Sequence, residues 1–192
     1  MSNEVINIAS KHLGQTVSDY SDQYDKSLLV KVPRKLNREA YGIDEDRLPF
    51  VGYDVWNAYE VSALTKRGRP ISGLLKIVCP SDSKYHVESK SIKLYLNSFN
   101  MTALGRTKRE CIKLIEGLVA TDLSGLLECN VECKLHTSDS LDKYGNDAWL
   151  GFEQFQNIEN LVDLDKIKFT EYKSDASQLK LDKHENEIYF HT

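Results

Sequence analysis

The residues whose types and spacing could do chemistry are Glu88-Ser89-Lys90-Ser91. A carboxylate that closes an extended segment just before a helix can accept a pair of N–H donors from a planar base. The helix start behind it offers unpaired backbone N–H groups and a positive dipole end, suited to a phosphate or a carbonyl oxygen. Lys90 adds a point charge for phosphate. Such a cluster would hold a purine-like ring and an anionic cofactor side by side. The plainer alternative is that Glu88 is an ordinary helix-start charge and that the serines are ordinary caps.

Four cysteines, Cys79, Cys111, Cys129 and Cys133, are the other candidates. A nucleophilic thiol needs a lowered pKa and access to a pocket. None of the four has a local sequence reason for either, so each reads as a structural thiol. Cys129 and Cys133 share one face of an expected strand, but no second ligand pair completes a zinc site.

The elements that must position Glu88 are legible from hydrophobic period. Residues 1–50 are polar, with Tyr20, Tyr24, Leu28 and Leu29 as isolated anchors and Pro33 and Pro49 as breaks, which predicts an extended arm over a core. Tyr53 to Leu64 alternates, with Val55, Tyr59, Val61 and Ala63 on one parity and Trp56 and Leu64 against it. A basic turn, Lys66 to Pro70, joins it to a strand over Ile71 to Val78, a hairpin. Val87 to Asn100 fits either period, and Ser89 or Ser91 as a cap favours a helix. Thr107 to Leu127 is helical, with Cys111, Leu114, Ile115, Leu118 and Val119 on one face and Thr107 and Glu110 as a capping box. Glu128 to His136 alternates as a further strand. The order strand, strand, helix, helix, strand implies an α+β fold, an antiparallel sheet with two helices on one face. Beyond Ser138 only scattered anchors remain, among them Trp149, Phe152, Phe155, Ile158, Leu161 and Val162.

The net charge of −4 argues against a surface built for nucleic-acid backbone. From Gly151 onward nine acidic residues face five lysines, which accounts for the whole imbalance. No apolar run of about 18 residues spans a membrane, and the first residues lack the basic and apolar regions of a secretory signal. A cytoplasmic location is therefore expected, with free thiols rather than disulfides.

The strings GYDVWNAYEVSAL and ESKSIKLYLNSFN, with QYDKSLLVKVPRKLNREAYGI upstream, resemble the N-terminal module of the long-form 7-cyano-7-deazaguanine reductases, the QueF family. The resemblance implies the tunnelling fold (T-fold), an antiparallel four-stranded sheet with two helices packed on one face. It implies an arm over 1–50, a T-fold module over 51–138 and a connecting extension over 139–192. It also implies reduction of the nitrile 7-cyano-7-deazaguanine to 7-aminomethyl-7-deazaguanine with NADPH, in the pathway to the tRNA base queuosine. Glu88 would bind the deazaguanine ring, with His86 and Val87 lining the site, and Ser89 and Lys90 would contact NADPH.

In that family the nucleophilic cysteine and the proton-donating aspartate sit in a C-terminal module, and no cysteine of this chain stands in a matching segment. The last residues, Glu187 to Thr192, resemble the start of the strand leading into that module. The expectation is a module that supplies substrate and NADPH contacts, completed by a C-terminal module or a separate subunit, in a homo-oligomer without direct nucleic-acid contact. The alternatives are a non-catalytic deazapurine-binding module and an oligomerisation module.

Overall fold

Pro70 to Pro80 forms the central strand of the sheet, β3, because it alternates apolar residues without a break: Ile71, Leu75, Ile77 and Cys79 all lie within the core. The computed structural model describes residues 23–137, 156–157, 163–166 and 189–190. Chain contacts divide into two units, Met1–Ser138 and Asp139–Thr192. In the first, β3 lies between β2 (Tyr53–Leu64) and β5 (Glu132–His136), both antiparallel to it. A second ladder pairs β1 (Lys31–Pro33) with β4 (Tyr85–Val87), also antiparallel. The architecture is α+β, as expected.

The alternation of β2 differs from its sequence reading. Ala58 faces Leu75 and Val61 faces Gly73, so Tyr59 and Glu60 stand against Leu74 alone, a bulge. One extra residue reverses the side-chain parity along the strand. Trp56 and Ala58 pack on the core before the bulge, and Val61 and Ala63 are buried after it. Trp56 therefore belongs to the inward set, while Tyr59, expected inward, is 73% exposed.

Two helices cover the inward face. The ambiguous segment is a helix, α1 (Ser89–Asn97), which buries Ile92, Tyr95 and Leu96. The longer α2 (Lys108–Leu127) buries Cys111, Ile115, Val119, Leu123 and Leu127, a ridge at intervals of four. Leu114, expected on that face, is 44% exposed because it lies one residue off this ridge. Thr107 caps α2 as expected, accepting from the Glu110 amide at 3.2 Å, while Glu110 reaches back to the Arg106 amide at 2.8 Å. The helix runs through Ser124-Gly125 and ends at Glu128, whose φ of 58° is left-handed. The strand expected from Glu128 consequently begins only at Glu132, and Cys129 lies in the turn before it.

Residues 23–50 are less extended than expected: a 3-10 turn (Lys26–Leu28) precedes β1, and short helical turns occupy Lys35–Arg38 and Glu39–Tyr41. Pro33 and the lack of a sustained period hide these short pieces. The arm is tied to the C-terminal end of α1, to the loop that follows it and to α2. Tyr24 N–H donates to Thr102 Oγ1 at 2.7 Å and Asp25 N–H to Ser98 Oγ at 3.1 Å. The Tyr24 and Tyr95 hydroxyls both donate to Asp122 Oδ2, at 2.6 and 2.7 Å. Burial, then the bond to Asp122, raises the Tyr24 hydroxyl to about 12. Tyr24, Tyr95 and Phe99 form a cluster of tilted and edge-on rings, with centroids 5.0–6.1 Å apart.

In the second unit β6 (Gln156–Asn157) and β7 (Tyr189–Phe190) pair in parallel, and a 3-10 turn covers Leu164–Lys166. The apolar anchors named between Trp149 and Val162 lie outside the described residues, as does Tyr20. No helix among the described residues is long and apolar enough to cross a membrane.

Candidate functional site

Glu88 sits where β4 turns into α1. Its backbone is extended (φ −72°, ψ 132°), and the next residue is helical. Its amide donates to Val30 O across the ladder at 2.8 Å, which fixes the last extended residue. Its carbonyl accepts the first helical bond, from Ile92 N–H at 3.1 Å. The carboxylate folds back over the helix end: Oε1 accepts from Lys90 N–H at 3.0 Å and Oε2 from Ser91 N–H at 2.6 Å. The cap of α1 is therefore Glu88 and not Ser89 or Ser91 as expected: both serines lie within the helix, and the longer carboxylate reaches the amides they were expected to serve. Helix-end amides that were expected to be open to an anion are instead engaged by Glu88, because its side chain is long enough to turn back on them.

Capping does not exhaust the carboxylate. It has about four lone-pair sites, of which the two caps use one on each oxygen. The Ser89 hydroxyl, donating to Oε1 at 3.4 Å, meets a third over a long bond that a ligand could displace. The pair is held rigid by the helix end, and Glu88 is only half-buried. A planar group with two adjacent N–H donors matches what remains.

The neighbouring residues fall into separate environments. His86 is half-buried on β4 opposite Val32. Burial lowers its pKa, and the Arg34 guanidinium lowers it further, with Asp54 opposing. At neutral pH it is an uncharged imidazole, able to donate one hydrogen bond and accept another. Val87 is 3% exposed and packs in the core, so only its backbone could meet a ligand. Ser89 and Lys90 are exposed, the Ser89 hydroxyl lying 3.4 Å from Glu88 Oε1. An exposed ammonium, and a hydroxyl held to the carboxylate only by a long bond, fit a phosphate-bearing ligand through their side chains.

Two arginines behind His86 went unnoticed in the sequence. Arg34 pairs with Asp54 and donates from Nε to Ser83 Oγ at 3.1 Å and to Tyr85 O at 3.2 Å. Arg38, 8% exposed, pairs with Glu45 at 2.9 Å and donates to Ser81 O. Arg34 braces β4 against the arm and β2, and Arg38 ties the arm to the turn after β3. Basic residues in a polar arm carry no periodic signal, so nothing in their spacing marked them.

The thiols behave as expected. Burial pushes Cys79 up to about 12, and burial also raises Cys111, Cys129 and Cys133. No structural feature turns any of them into a thiolate. The fold favours the neutral form of these thiols and of Tyr24, so their contribution is complete below the ordinary values of 9 for the thiols and 10 for Tyr24. It is lost as pH rises from there, for Cys79 and Tyr24 towards about 12. Denaturant midpoints measured across a pH series should therefore hold level up to about pH 9 and fall above it. Thiolate absorbance appearing near neutral pH would reveal an activated cysteine and contradict this description.

The family described as "Nitrile reductase, 7-cyano-7-deazaguanine-reductase N-term" matches residues 20–136, which contain the whole of this site. The chain belongs to that family. Curated relatives agree. The NADPH-dependent 7-cyano-7-deazaguanine reductase of Rickettsia prowazekii (strain Madrid E) is 40% identical over 142 residues, covering 74% of this chain and 48% of the relative. Those of Rickettsia felis and Rickettsia bellii (strain OSU 85-389) are 45% identical over 114 residues and 54% over 83. The matches cover 59% and 43% of this chain, and 40% and 30% of the relatives. The chain spans about half the length of the curated relatives it matches. The resemblance read from ESKSIKLY and its flanks is thus borne out at the level of the family.

Proposed function

We propose that this chain is the ring-holding module of a nitrile reductase that converts 7-cyano-7-deazaguanine to 7-aminomethyl-7-deazaguanine in queuosine biosynthesis. The observation that carries this reading is the half-buried Glu88 carboxylate, fixed by two backbone N–H donors, with a lone pair left on Oε2 and one on Oε1 that only the long Ser89 hydroxyl bond meets. The guanine-like edge of the substrate presents a ring N–H and an exocyclic amine side by side, and a fixed carboxylate accepts both. His86, uncharged and half-buried, lines the ring's approach, and the Val87 backbone closes its other side.

NADPH supplies the hydride equivalents when bound. The exposed Ser89 and Lys90 side chains would hold its phosphate side. The fold is read as a T-fold, to which the antiparallel sheet β2-β3-β5 would belong. With every thiol raised by burial, the nucleophile is assigned to a C-terminal module or subunit beyond this chain.

The test is reconstitution. NADPH oxidation should be absent when the chain is incubated alone with substrate. It should appear when the C-terminal half of a Rickettsia relative is added. Turnover by the chain alone would contradict the assignment of the nucleophile, and no turnover from the mixture would contradict the module role.

A further inference from the structure

Ser91 is 3% exposed, and its hydroxyl does something unusual for a helix-start serine. The β1–β4 register places Lys31 opposite Val87, so Val30 stands opposite Glu88. In an antiparallel ladder such a pair can exchange two N–H···O bonds. Only one is direct here, Glu88 N–H to Val30 O at 2.8 Å. The Glu88 carbonyl has turned into the helix to accept from Ile92, so it cannot reach the Val30 amide. Ser91 Oγ fills the gap, accepting from Val30 N–H at 3.1 Å and donating to Glu88 O at 2.8 Å. The same residue's amide holds Glu88 Oε2 at 2.6 Å.

We propose that Ser91 is a positioning residue for ring recognition: its hydroxyl completes the last rung of the β1–β4 ladder and so fixes the direction of the Glu88 carboxylate. This rests on the reading that Glu88 holds the ring. Without the hydroxyl, the Val30 amide loses its acceptor and the arm holds the Glu88 backbone by the single Glu88 N–H to Val30 O bond. The carboxylate then swings with the helix end and no longer meets two donors at once. Ser91 touches no ligand itself; it acts through Glu88.

The test compares two ligands on the full chain by calorimetry: 7-cyano-7-deazaguanine, and the same ring lacking the exocyclic amine. The unaltered chain should prefer the first by about tenfold or more, the worth of one hydrogen bond to a charged group. Ser91→Ala should bring that preference close to one, while Ser91→Thr, which keeps a hydroxyl, should retain it. A merely structural role would weaken both ligands equally and leave the preference intact. Hydrogen exchange gives a second readout: the Val30 and Lys90 amides should exchange faster in Ser91→Ala, with Ile115 and Val119 unchanged. An unaltered preference, or unaltered Val30 and Lys90 exchange, would overturn the proposal while leaving the role of Glu88 standing. Unaltered binding after Glu88→Ala would overturn the reading beneath it. Absence of binding by the unaltered chain would overturn both.

Discussion

Glu88→Ala is expected to weaken binding of 7-cyano-7-deazaguanine at least hundredfold while lowering stability only slightly. The two effects separate because the carboxylate that caps the helix would also meet the ring. Facing the ring, it would accept two N–H bonds, each worth about 1.5–3 kcal/mol when the acceptor is charged, and about 1.4 kcal/mol is tenfold in affinity. Facing the helix, it accepts from the Lys90 and Ser91 amides, a cap whose loss costs about 1 kcal/mol. Glu88→Gln sharpens the distinction. The amide keeps one acceptor oxygen, so it can restore part of the cap, but its NH₂ opposes one of the ring's donors. Calorimetry and denaturant melts on the two variants should show stability recovering in Gln and affinity remaining low. Affinity recovering in step with stability would mean that Glu88 matters only as a cap.

The second large effect lies in the sheet. A Cβ on Gly73 would stand 2.3 Å from the His136 carbonyl oxygen and 3.3 Å from a Leu135 methyl. Both belong to β5, and the nearer is backbone, so no side-chain rotation relieves the clash. Gly73→Ala should force β5 away from β3 and destabilise the protein by about 3 kcal/mol, at the upper end of ordinary overpacking. The identical substitution at Gly117 should act in the opposite direction. A Cβ there meets nothing within 4 Å, and alanine in a helix interior is favoured over glycine by about 1 kcal/mol. Melts of the two variants, compared with the parent, check both signs. A Gly73→Ala protein as stable as the parent would show that β5 can shift without cost.

Much of this was readable beforehand, and the failures have identifiable causes. The long helix and the central strand announced themselves because their apolar residues repeat over many turns or rungs. The β2 strand was found, but its inward set was misjudged, since one extra residue at Tyr59-Glu60 reverses parity and no local signal announces a bulge. The β1–β4 ladder was missed because three-residue strands carry no period, and their partners lie more than 50 residues apart. Chain order also said nothing of Ser91's position between Val30 and Glu88, which arises only when arm and helix meet. The Glu88 motif itself was legible, yet its residues divide differently from their order in the chain. Val87 turns into the core, Ser89 and Lys90 face solvent, and Glu88 stands between them.

The central claim is that a carboxylate on this chain holds the substrate ring. It is tested most directly by titrating isotope-labelled chain with 7-cyano-7-deazaguanine and following the Glu88 carboxylate carbon with the Lys90 and Ser91 amides. These three signals should shift together and saturate at one equivalent. Saturable shifts confined to another part of the chain, or no shift at millimolar ligand, would contradict it.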